Sequence, residues 1–571
     1  MPGIIVLDPN RGDTGEALSE RVSRHLQAIP SMTACERITH QDYRGLCDAT
    51  VIDTLVYFPA LTRDTLRIPD PEAVAAFAQA ASGARIRHLV AISSAEVYGA
   101  RPHNPGLIPE TQSLAYGEGN RIAAGWGAFE TTLADIRSDH ADFLLTIFRP
   151  APVLLPGATD YFARLLSASA VFVLAGHDPT LQWLHPDDLG RAVATVVAHS
   201  HPGVYNIAPS QVMTLRTSLR LAGVLRIPTP RWPQRLFRRI LPASIADPID
   251  RIEYIRYGWT VSDARLRQET GFAPQHTSVD AVSDFLSGKP QDAGYAFRRE
   301  KTLVRRKWLP EEFDDYGLDK PYMAAYSRTM FRFFADFYWR IEFRGMEHIP
   351  REGRVLLAGV HRGFMPLDGV ATNYLIHRET GRYCRFLIHP TLIKFPFQFN
   401  FMTKIGGMIA CQQNADYVLS RDGMVGFYPE GIQGAFRYIK GVYNLGKFSH
   451  NEFIRMALRN RAPIVPFVTV GHAEIFPIVA KIKWRWWMRF TLWPAFPIAP
   501  PFPFLSIPLP TKWHVRFLEP LHVEREYPPE AGEDPRIVTA ISLEIRRRMQ
   551  AAIDEMLARR KRIFWGSIFE T

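Results

Sequence analysis

The stretch that determines the fold of the second half of the chain is "RVLLAGVHRGFMPLDGVATNYLIH", residues 354–377. It opens with an uninterrupted apolar run that has the length of a buried strand and ends at His361. Pro366 and Leu367 suit the first positions of a helix that continues through residue 377. We therefore predict a buried strand, a short loop and a helix, as in an α/β domain.

The loop between this strand and this helix carries a histidine and an aspartate seven positions apart, His361 and Asp368. Gly363 allows the loop to fold back, so that the carboxylate can reach one imidazole nitrogen. Such a contact fixes the tautomer and leaves the other nitrogen free to take a proton. By itself the spacing is weak evidence, because a His and an Asp this close are often unrelated to catalysis.

The first half alternates β-branched runs with segments of helical periodicity. The predicted strands are "GIIVLD", "VIDTLVYFP", "IRHLVAISS", "DFLLTIFRP" and "GVYNIAP". The predicted helices between them are "TGEALSERVSRHLQ", "PEAVAAFAQAASG" and "FETTLADIRSD". This alternation predicts a parallel sheet covered by helices on both faces, and hence an α/β fold in this half as well.

The length of 571 residues predicts two large domains. We place the first at residues 1–288 and the second at residues 325–565. The segment 289–324 is rich in charge and turn residues and is interpreted as a linker, with a basic patch at residues 298–307.

The excess of positive charge lies entirely in the second half. Residues 291–571 hold 41 Lys and Arg against 28 Asp and Glu, whereas residues 1–290 hold 27 against 29. Such asymmetry indicates a surface that faces polyanions, either nucleic acid or an anionic membrane. No nucleic-acid recognition module is present in the sequence, so we expect a membrane surface and no nucleic acid.

Cellular location is inferred from cysteine usage and from the apolar stretches. The four cysteines show neither metal spacing nor disulfide density, and we expect no metal and a reducing compartment. The start of the chain lacks the pattern of a secretory signal. The longest charge-free stretch, Phe490–Pro510, contains seven prolines and cannot form a spanning helix. We therefore expect a peripheral protein on the cytoplasmic, inner face of a membrane.

Three segments have two interpretations each. The segment "KIKWRWWMR", residues 481–489, suits a lipid headgroup interface, or it belongs to a Pro-rich surface loop packed on its own domain. The aromatic segment 323–343 is either a core helix or an interfacial one. Residues 535–565 predict a basic amphipathic helix, which is either a solvated surface helix or a membrane contact.

The first half resembles the extended short-chain dehydrogenase/reductase family, related to NAD-dependent epimerases and dehydratases. The glycine motif of that family falls on Pro9, Gly12 and Gly15, within "PNRGDTGEAL". The other blocks that carry the resemblance are "AISSAEVYG", "AYGEGNRIAAGWGAFE", "FRPAPVLLPG" and "QWLHPDDLGRAV". The resemblance implies a Rossmann-type domain with an NAD(P) site at Gly12 and Gly15.

The catalytic set of that family is incomplete in this chain. Ser94 and Tyr116 match the family's serine and tyrosine, but the position of its lysine is taken by Asn120. An amide cannot supply the positive charge that lowers the phenol's pKa. The first glycine of the nucleotide motif is also replaced, by Pro9. We expect redox activity to be lost, with NAD(P) binding left open.

The second half resembles the glycerolipid acyltransferase family, which includes lysophosphatidate acyltransferases. After the His-Asp pair come, in order, "KIGGMIACQQNAD", "GFYPEGIQGAFR" and "APIVPFVTVG". The resemblance implies that His361 is the general base and that Asp368 orients it. The activated hydroxyl of a lipid acceptor would attack the thioester of acyl-CoA or acyl-carrier protein, while Glu430 and Gly431 help to hold the acceptor.

Two departures bear on the acceptor. Six residues separate His361 from Asp368, more than is common in the family, and the insertion matches a bacterial subset with a proline before the aspartate. The arginines that grip a phosphate in the family fall on Gln413 and Gln433, which lack the charged fork of arginine. We therefore favour a neutral or glycosyl hydroxyl over lysophosphatidate, although Arg437 and Lys440 could replace the lost charges.

Three hypotheses for the whole protein remain. The first is a membrane-associated acyltransferase fused to an inactive reductase-like domain. The second is a bifunctional enzyme whose first domain reduces or epimerises the molecule that the second acylates. The third is a non-enzymatic scaffold, and the retention of His361, Asp368 and Glu430 speaks against it.

Overall fold

The computed structural model divides the chain into two compact units, Met1–Gly317 and Leu318–Thr571. It describes residues 3–8, 18–29, 34–38, 52–62, 66–114, 120–139, 144–158, 160–230, 249–287, 314–448, 451–491 and 493–569. Most of the predicted linker 289–324, including the basic patch 298–307, lies outside these residues. No helix in the described ranges is long and apolar enough to cross a membrane.

The first unit is built on a six-stranded sheet in which every pairing is parallel. Its strands are β1 Gly3–Leu7, β2 Ala34–Ile38, β3 Ile52–Tyr57, β4 Ile86–Ile92, β5 Leu144–Pro150 and β8 Gly203–Ile207. Two smaller sheets are formed by β6 Ala170–Leu174 with β10 Leu225–Thr229, and by β7 Thr180–Leu181 with β9 Met213–Thr214. In the order β2-β1-β3-β4-β5-β8 the chain reverses direction across the sheet between β1 and β3, as in doubly wound α/β folds, in agreement with the predicted Rossmann-type fold.

Helices cover both faces of this sheet. They are Leu18–Gln27, Pro71–Gly83, Arg121–Asp139, Tyr161–Ser167, Pro186–His199, Leu215–Leu221, Ile249–Ile252, Ala264–Thr270 and Ser278–Ser287, with 3-10 turns at Ala95–Tyr98 and Glu253–Ile255. Separate apolar clusters lie on the two faces; in one of them Tyr57 stacks on Phe77 with ring centroids 3.6 Å apart. The third predicted helix is longer than expected, because it begins at Arg121.

The second unit contains a seven-stranded mixed sheet in the order β11-β19-β16-β12-β15-β13-β14. Its strands are β11 Glu342–Arg344, β12 Val355–Ala358, β13 Cys384–Ile388, β14 Met408–Ile409, β15 Met424–Phe427, β16 Ile464–Val470 and β19 His514–Phe517. The five strands from β16 to β14 are mutually parallel, whereas β19 runs antiparallel to β16. A two-stranded ribbon joins β17 Ala480–Ile482 to β18 Phe496–Ile498.

The helices of the second unit follow the strands closely. They are Lys320–Tyr326, Leu367–Thr380, Pro396–Lys404, Gln412–Ser420, Gly431–Ala435, Glu452–Arg459, Arg485–Thr491, Val523–Glu526 and Pro535–Arg559. The remaining turns are π-helical at Ser327–Phe331 and Phe333–Tyr338, and 3-10 at Met346–His348, Pro390–Lys394, His472–Glu474 and Pro529–Glu533.

The sequence predictions for this unit hold with two adjustments. The strand before His361 is confirmed, and the helix begins at Leu367 as predicted. The aromatic helix predicted over residues 323–343 ends at Tyr338, and Glu342–Arg344 forms an edge strand instead. The C-terminal helix ends at Arg559, before the predicted limit.

Candidate functional site

The candidate site lies at one edge of the second sheet. Because β12, β15 and β16 are parallel, their carboxyl ends meet at the same edge, which is where ligands bind in α/β sheets. His361 follows β12, Glu430 follows β15, and His472 follows β16. The topology thus brings together residues that are more than 100 positions apart in the chain.

His361 and Asp368 are in direct contact at this edge. His361 Nδ1 lies 2.7 Å from Asp368 Oδ2, and the aspartate's Oδ1 accepts a hydrogen bond of 2.8 Å from the Gly369 N–H. Asp368 is buried in the first turn of the helix Leu367–Thr380, where the helix dipole stabilises its negative charge. Gly363 has a φ of 82°, and this left-handed conformation returns the loop toward the helix. The contact at Nδ1 leaves Nε2 of the partly exposed imidazole for a reacting hydroxyl.

A second histidine approaches the same carboxylate. His472 Nε2 lies 3.8 Å from Asp368 Oδ2, the oxygen that His361 also contacts, and its ring is fully buried. Burial lowers the pKa of His472 to about 4, although Asp368 opposes this shift, so the ring is neutral at neutral pH. The sequence-based assignment ended at Gly471 and missed this residue. The available signal was a histidine directly after a buried strand of the same sheet.

Tyr428 closes the interior side of the His361 ring. The two ring centroids are 5.0 Å apart, and the tyrosine also stacks on Phe386 at 5.5 Å. Burial and the neighbouring Asp368 raise the pKa of the Tyr428 phenol well above its ordinary value. Tyr428 therefore stays neutral and provides an apolar wall, a role that sequence reasoning did not assign.

Glu430 is buried between two arginines. Its Oε2 lies 2.6 Å from Arg362 Nη1, and its Oε1 lies 3.2 Å from Arg437 Nη2 and accepts a 2.8 Å hydrogen bond from the Gly446 N–H. Arg362, fully buried, also donates to the carbonyl oxygen of His361 at 2.8 Å. The structure therefore links Glu430 to the backbone of the dyad, whereas the sequence suggested contact with the acceptor.

Glycines make this arrangement possible. Gly431 has a φ of 57°, and its N–H donates to the Tyr428 carbonyl oxygen at 2.9 Å, closing the turn that carries Glu430. A side chain at Gly434 would lie 2.8 Å from the Glu430 Cβ and 2.9 Å from Arg362 Nη1. The sequence block around Glu430 thus determines how closely the Arg362 guanidinium can approach.

The two glutamines at the positions that the resemblance assigned to phosphate binding are exposed. Gln413 lies in the first turn of the helix Gln412–Ser420, after β14, and Gln433 lies in Gly431–Ala435, after β15. Both helices start at the edge that carries His361. Arg437, one of the two cations considered as replacements, is engaged by Glu430.

In the first unit, Asn120 serves as a helix cap. Its Oδ1 accepts hydrogen bonds from the N–H groups of Ile122 and Ala123 at 3.1 and 3.2 Å, and its Nδ2 donates to the Tyr254 hydroxyl at 3.2 Å. Ser94 caps the turn Ala95–Tyr98 by accepting from the Glu96 N–H at 3.1 Å. The predicted residues Gly12, Gly15 and Tyr116 lie outside the described residues.

These contacts test the fit of a nicotinamide cofactor. The resemblance places a catalytic lysine at the position of Asn120. In this chain the position carries a neutral amide, which caps a helix. The position that the resemblance assigned to the catalytic lysine therefore supplies no positive charge for the redox chemistry of NAD(P). The nucleotide-binding turn itself falls outside the described residues.

One group of side chains in the described ranges could hold a metal ion: His185, Asp187 and His276. His185 Nδ1 already accepts from the Asp187 N–H at 3.2 Å, and its Nε2 lies 3.0 Å from Asp284 Oδ2. The rings of His185 and His276 stack with centroids 3.9 Å apart. Since both nitrogens of His185 have protein partners, the group as it stands is a hydrogen-bonded cluster.

Family comparisons match both halves of the chain. Residues 340–470 match the family described as Acyltransferase, and residues 69–208 match the NAD dependent epimerase/dehydratase family. The two matches confirm the two resemblances predicted from the sequence.

Individual relatives come from bacteria and plants. An uncharacterized protein from Mycobacterium leprae is 30% identical over 259 residues, which cover 44% of this chain and 70% of that protein. Phytyl ester synthase 2 of Arabidopsis thaliana is 32% identical over 145 residues, or 24% of this chain and 20% of the plant protein. The structure of a dTDP-glucose 4,6-dehydratase from Streptomyces venezuelae, solved with NAD bound, is 16% identical and covers 51% of this chain and 98% of its own, with a TM-score of 0.39.

Proposed function

We propose that this chain, which belongs to the family of the uncharacterized Mycobacterium leprae protein and matches the Acyltransferase family over residues 340–470, transfers a fatty acyl group from a thioester to a lipid or glycosyl hydroxyl. The observation that carries the proposal is the 2.7 Å contact between His361 Nδ1 and Asp368 Oδ2 at the carboxyl edge of a parallel sheet. A carboxylate in that position holds the imidazole in one tautomer and stabilises the imidazolium form.

In the proposed reaction, His361 Nε2 removes the proton of the acceptor hydroxyl. The oxygen then attacks the thioester carbonyl carbon, and the carbon–sulfur bond breaks as the ester forms. The thiolate of the donor leaves and takes the proton from the imidazolium, which restores the neutral base. Asp368 orients His361, while Arg362 and Glu430 hold the loop backbone in place.

The donor in this proposal is acyl-CoA or an acyl-carrier protein. The acceptor we favour is neutral or glycosyl, because the exposed Gln413 and Gln433 carry no charge for a phosphate. Lysophosphatidate is the competing acceptor, and assays with both classes of lipid decide between them.

The test is a thiol-release assay on the full chain. Long-chain acyl-CoA and a total lipid extract should yield free CoA together with a new acylated lipid identified by mass spectrometry. His361→Ala should lower the rate at which both products form about 10²- to 10⁴-fold. Release of equal amounts of CoA by wild type and His361→Ala would defeat the assignment of the base.

We propose that the N-terminal domain has lost reductase activity and retains at most NAD(P) binding. The capping role of Asn120 supports this, because the residue supplies no charge to a catalytic tyrosine. A fluorescence titration with NADH and NADPH tests it. Cofactor turnover with any sugar or lipid would instead support the bifunctional alternative.

We also propose that the protein works as a peripheral protein on the cytoplasmic, inner face of a membrane. The excess of Lys and Arg in residues 291–571 supports this location, since anionic lipids attract such a surface. Cell fractionation tests it: the protein should sediment with membranes at low salt and be released by high salt.

A further inference from the structure

The second unit carries a projecting segment that the acyl-transfer chemistry does not use. We call residues 481–507 the aromatic rim. It contains parts of the ribbon β17 and β18, the helix Arg485–Thr491 between them, and the proline-rich turn that follows. The ribbon is closed by antiparallel pairing, with Ile482 opposite Phe496.

The outer side of the rim is strongly apolar. Phe504 is 99% exposed, Trp486 62% and Phe490 60%. Trp486 and Phe490 are four positions apart in a helix and therefore lie on one face. Other large apolar side chains exposed on the rim are Trp484, Leu505 and Ile507. An apolar surface of this kind indicates a contact with an apolar partner.

All charged side chains of the aromatic rim are positive. Residues 481–507 contain four Lys and Arg and no Asp or Glu. Lys483, Arg485 and Arg489 are exposed, and among the described residues no acidic side chain pairs with them. A surface with exposed cations and indole rings, and without carboxylates, is complementary to the headgroup region of an anionic bilayer.

The inner side of the rim packs on the candidate active site. The ring of Phe364, three residues after His361, lies 4.8 Å from that of Phe502 and 5.8 Å from that of Trp493. Trp493 also contacts Phe395 and Phe436, which follow β13 and β15, at 5.6 and 5.4 Å. The rim therefore packs against three loops at the carboxyl edge of the sheet, where the proposed catalytic dyad lies.

We propose that the aromatic rim is a docking surface for an anionic lipid bilayer, which places the bilayer beside His361. Phe504, Trp486 and Phe490 enter the acyl-chain boundary while Lys483, Arg485 and Arg489 contact the headgroups. This proposal rests on the proposed acyl transfer in one respect. The acceptor hydroxyl would reach His361 from the lipid surface to which the rim is bound.

The direct test is sedimentation of the full chain with vesicles. Wild type should bind vesicles of phosphatidylglycerol and phosphatidylcholine at 0.1 M salt, and about 1 M salt should weaken binding by screening. Phe504→Asp should weaken binding about tenfold, since it places a charge where an exposed aromatic ring would enter the bilayer. Its control, Leu543→Asp, changes a residue that is 56% exposed on the C-terminal helix and should bind like wild type.

A charge-reversal variant tests whether the basic side chains of the rim contribute to vesicle binding. Arg485→Glu should weaken binding about tenfold. Arg351→Glu is the matched control, because Arg351 is exposed in the turn before β12, at the sheet edge opposite His361. Equal binding of wild type, Phe504→Asp and Arg485→Glu would overturn the proposal, and so would equal binding to vesicles of phosphatidylcholine alone.

Two readouts keep this proposal separate from the acyltransferase assignment. His361→Ala should sediment like wild type and form acylated product about 10²- to 10⁴-fold more slowly. Phe504→Asp should still release CoA with a water-soluble acceptor and lose product only with acceptors in vesicles. Normal product formation in vesicles by a variant that no longer sediments would overturn the docking role, whereas wild-type activity of His361→Ala would overturn only the proposed function.

Discussion

The guanidinium of Arg362 lies 2.6 Å from the carboxylate of Glu430 in the interior of the second unit. The same guanidinium donates to the carbonyl oxygen of His361 and, through Nε, to the carbonyl oxygen of Val442 at 2.6 Å. Burial lowers the pKa of Arg362 below its ordinary value, and Glu430 opposes this shift. This ion pair connects the block after β15 to the loop that carries the proposed base.

Substitution of the dyad should reduce turnover. His361→Ala should lower kcat about 10²- to 10⁴-fold, the usual effect of losing a positioned general base. Asp368→Asn should have a smaller effect than His361→Ala. It should lower kcat at least about tenfold, because the imidazole loses its orienting charge. Steady-state release of CoA at saturating acceptor measures both. Unchanged circular dichroism spectra would show that the variants are folded.

Removal of Arg362 should destabilise the second unit. Arg362→Met leaves Glu430 buried with only Arg437 to neutralise it, and we expect a loss of about 3 kcal/mol in the free energy of unfolding. Urea unfolding of the full chain measures the change. The control is Arg547→Ala, which removes an ion pair between exposed side chains, to Glu544, and should change the free energy of unfolding far less. Equal effects of the two variants would contradict the structural role of Arg362.

The cap at Asn120 should matter for stability and not for redox chemistry. Asn120→Ala removes two hydrogen bonds to the start of the helix Arg121–Asp139 and should cost about 1 kcal/mol. Asn120→Asp keeps a capping oxygen and should be close to wild type. Thermal unfolding measures the difference. An unchanged Tm for Asn120→Ala would contradict the role of Asn120 as a cap.

His472 should make the second unit sensitive to acid. Its pKa is about 4 in the folded protein and near 6.5 in the unfolded chain, so the unfolded state binds the proton first as pH falls. The stability present above pH 6.5 is therefore lost progressively between about pH 6.5 and pH 4. His472→Leu should lessen the loss between pH 6.5 and pH 5 by about 2 kcal/mol at most.

Urea unfolding at these two pH values measures the effect of His472. His522 is the control, because solvent already reaches its ring in the folded protein. If His522→Leu altered the pH dependence of the free energy of unfolding as much as His472→Leu, the burial of His472 would not explain that dependence.

An arginine at position 433 should shift the acceptor preference. Gln433→Arg restores a charged fork at a position where the resembling family grips phosphate, and it should raise kcat/KM for a phosphorylated acceptor about tenfold relative to a neutral one. Gln433→Glu should have the opposite effect. Competition between lysophosphatidate and a neutral lipid in one assay gives the ratio directly. The same ratio in all three proteins would show that Gln433 does not face the acceptor.

Local patterns predicted much of the fold. The run before His361 became β12, and the helix after Pro366 began where the proline and the apolar spacing placed it. The alternation of strands and helices in the first half likewise predicted its parallel sheet. These features depend on neighbours within about ten residues, which the sequence displays directly.

The partners of the site residues could not be predicted in the same way. The spacing of His361 and Asp368 made their contact possible, and the structure places them 2.7 Å apart. Nothing local indicated that Glu430 would be buried between Arg362 and Arg437. Nor did the local sequence indicate that Asn120 would cap the helix Arg121–Asp139.

The residue pattern alone predicted two α/β domains, the candidate dyad and a rim, residues 481–507, without Asp or Glu. The contact of His472 with Asp368, the link from Glu430 through Arg362 to His361, and the packing of the aromatic rim on Phe364 are visible only in the folded chain. Secondary structure follows from short-range periodicity. The choice of partner for a buried charge or ring depends instead on which strand ends the sheet order places side by side.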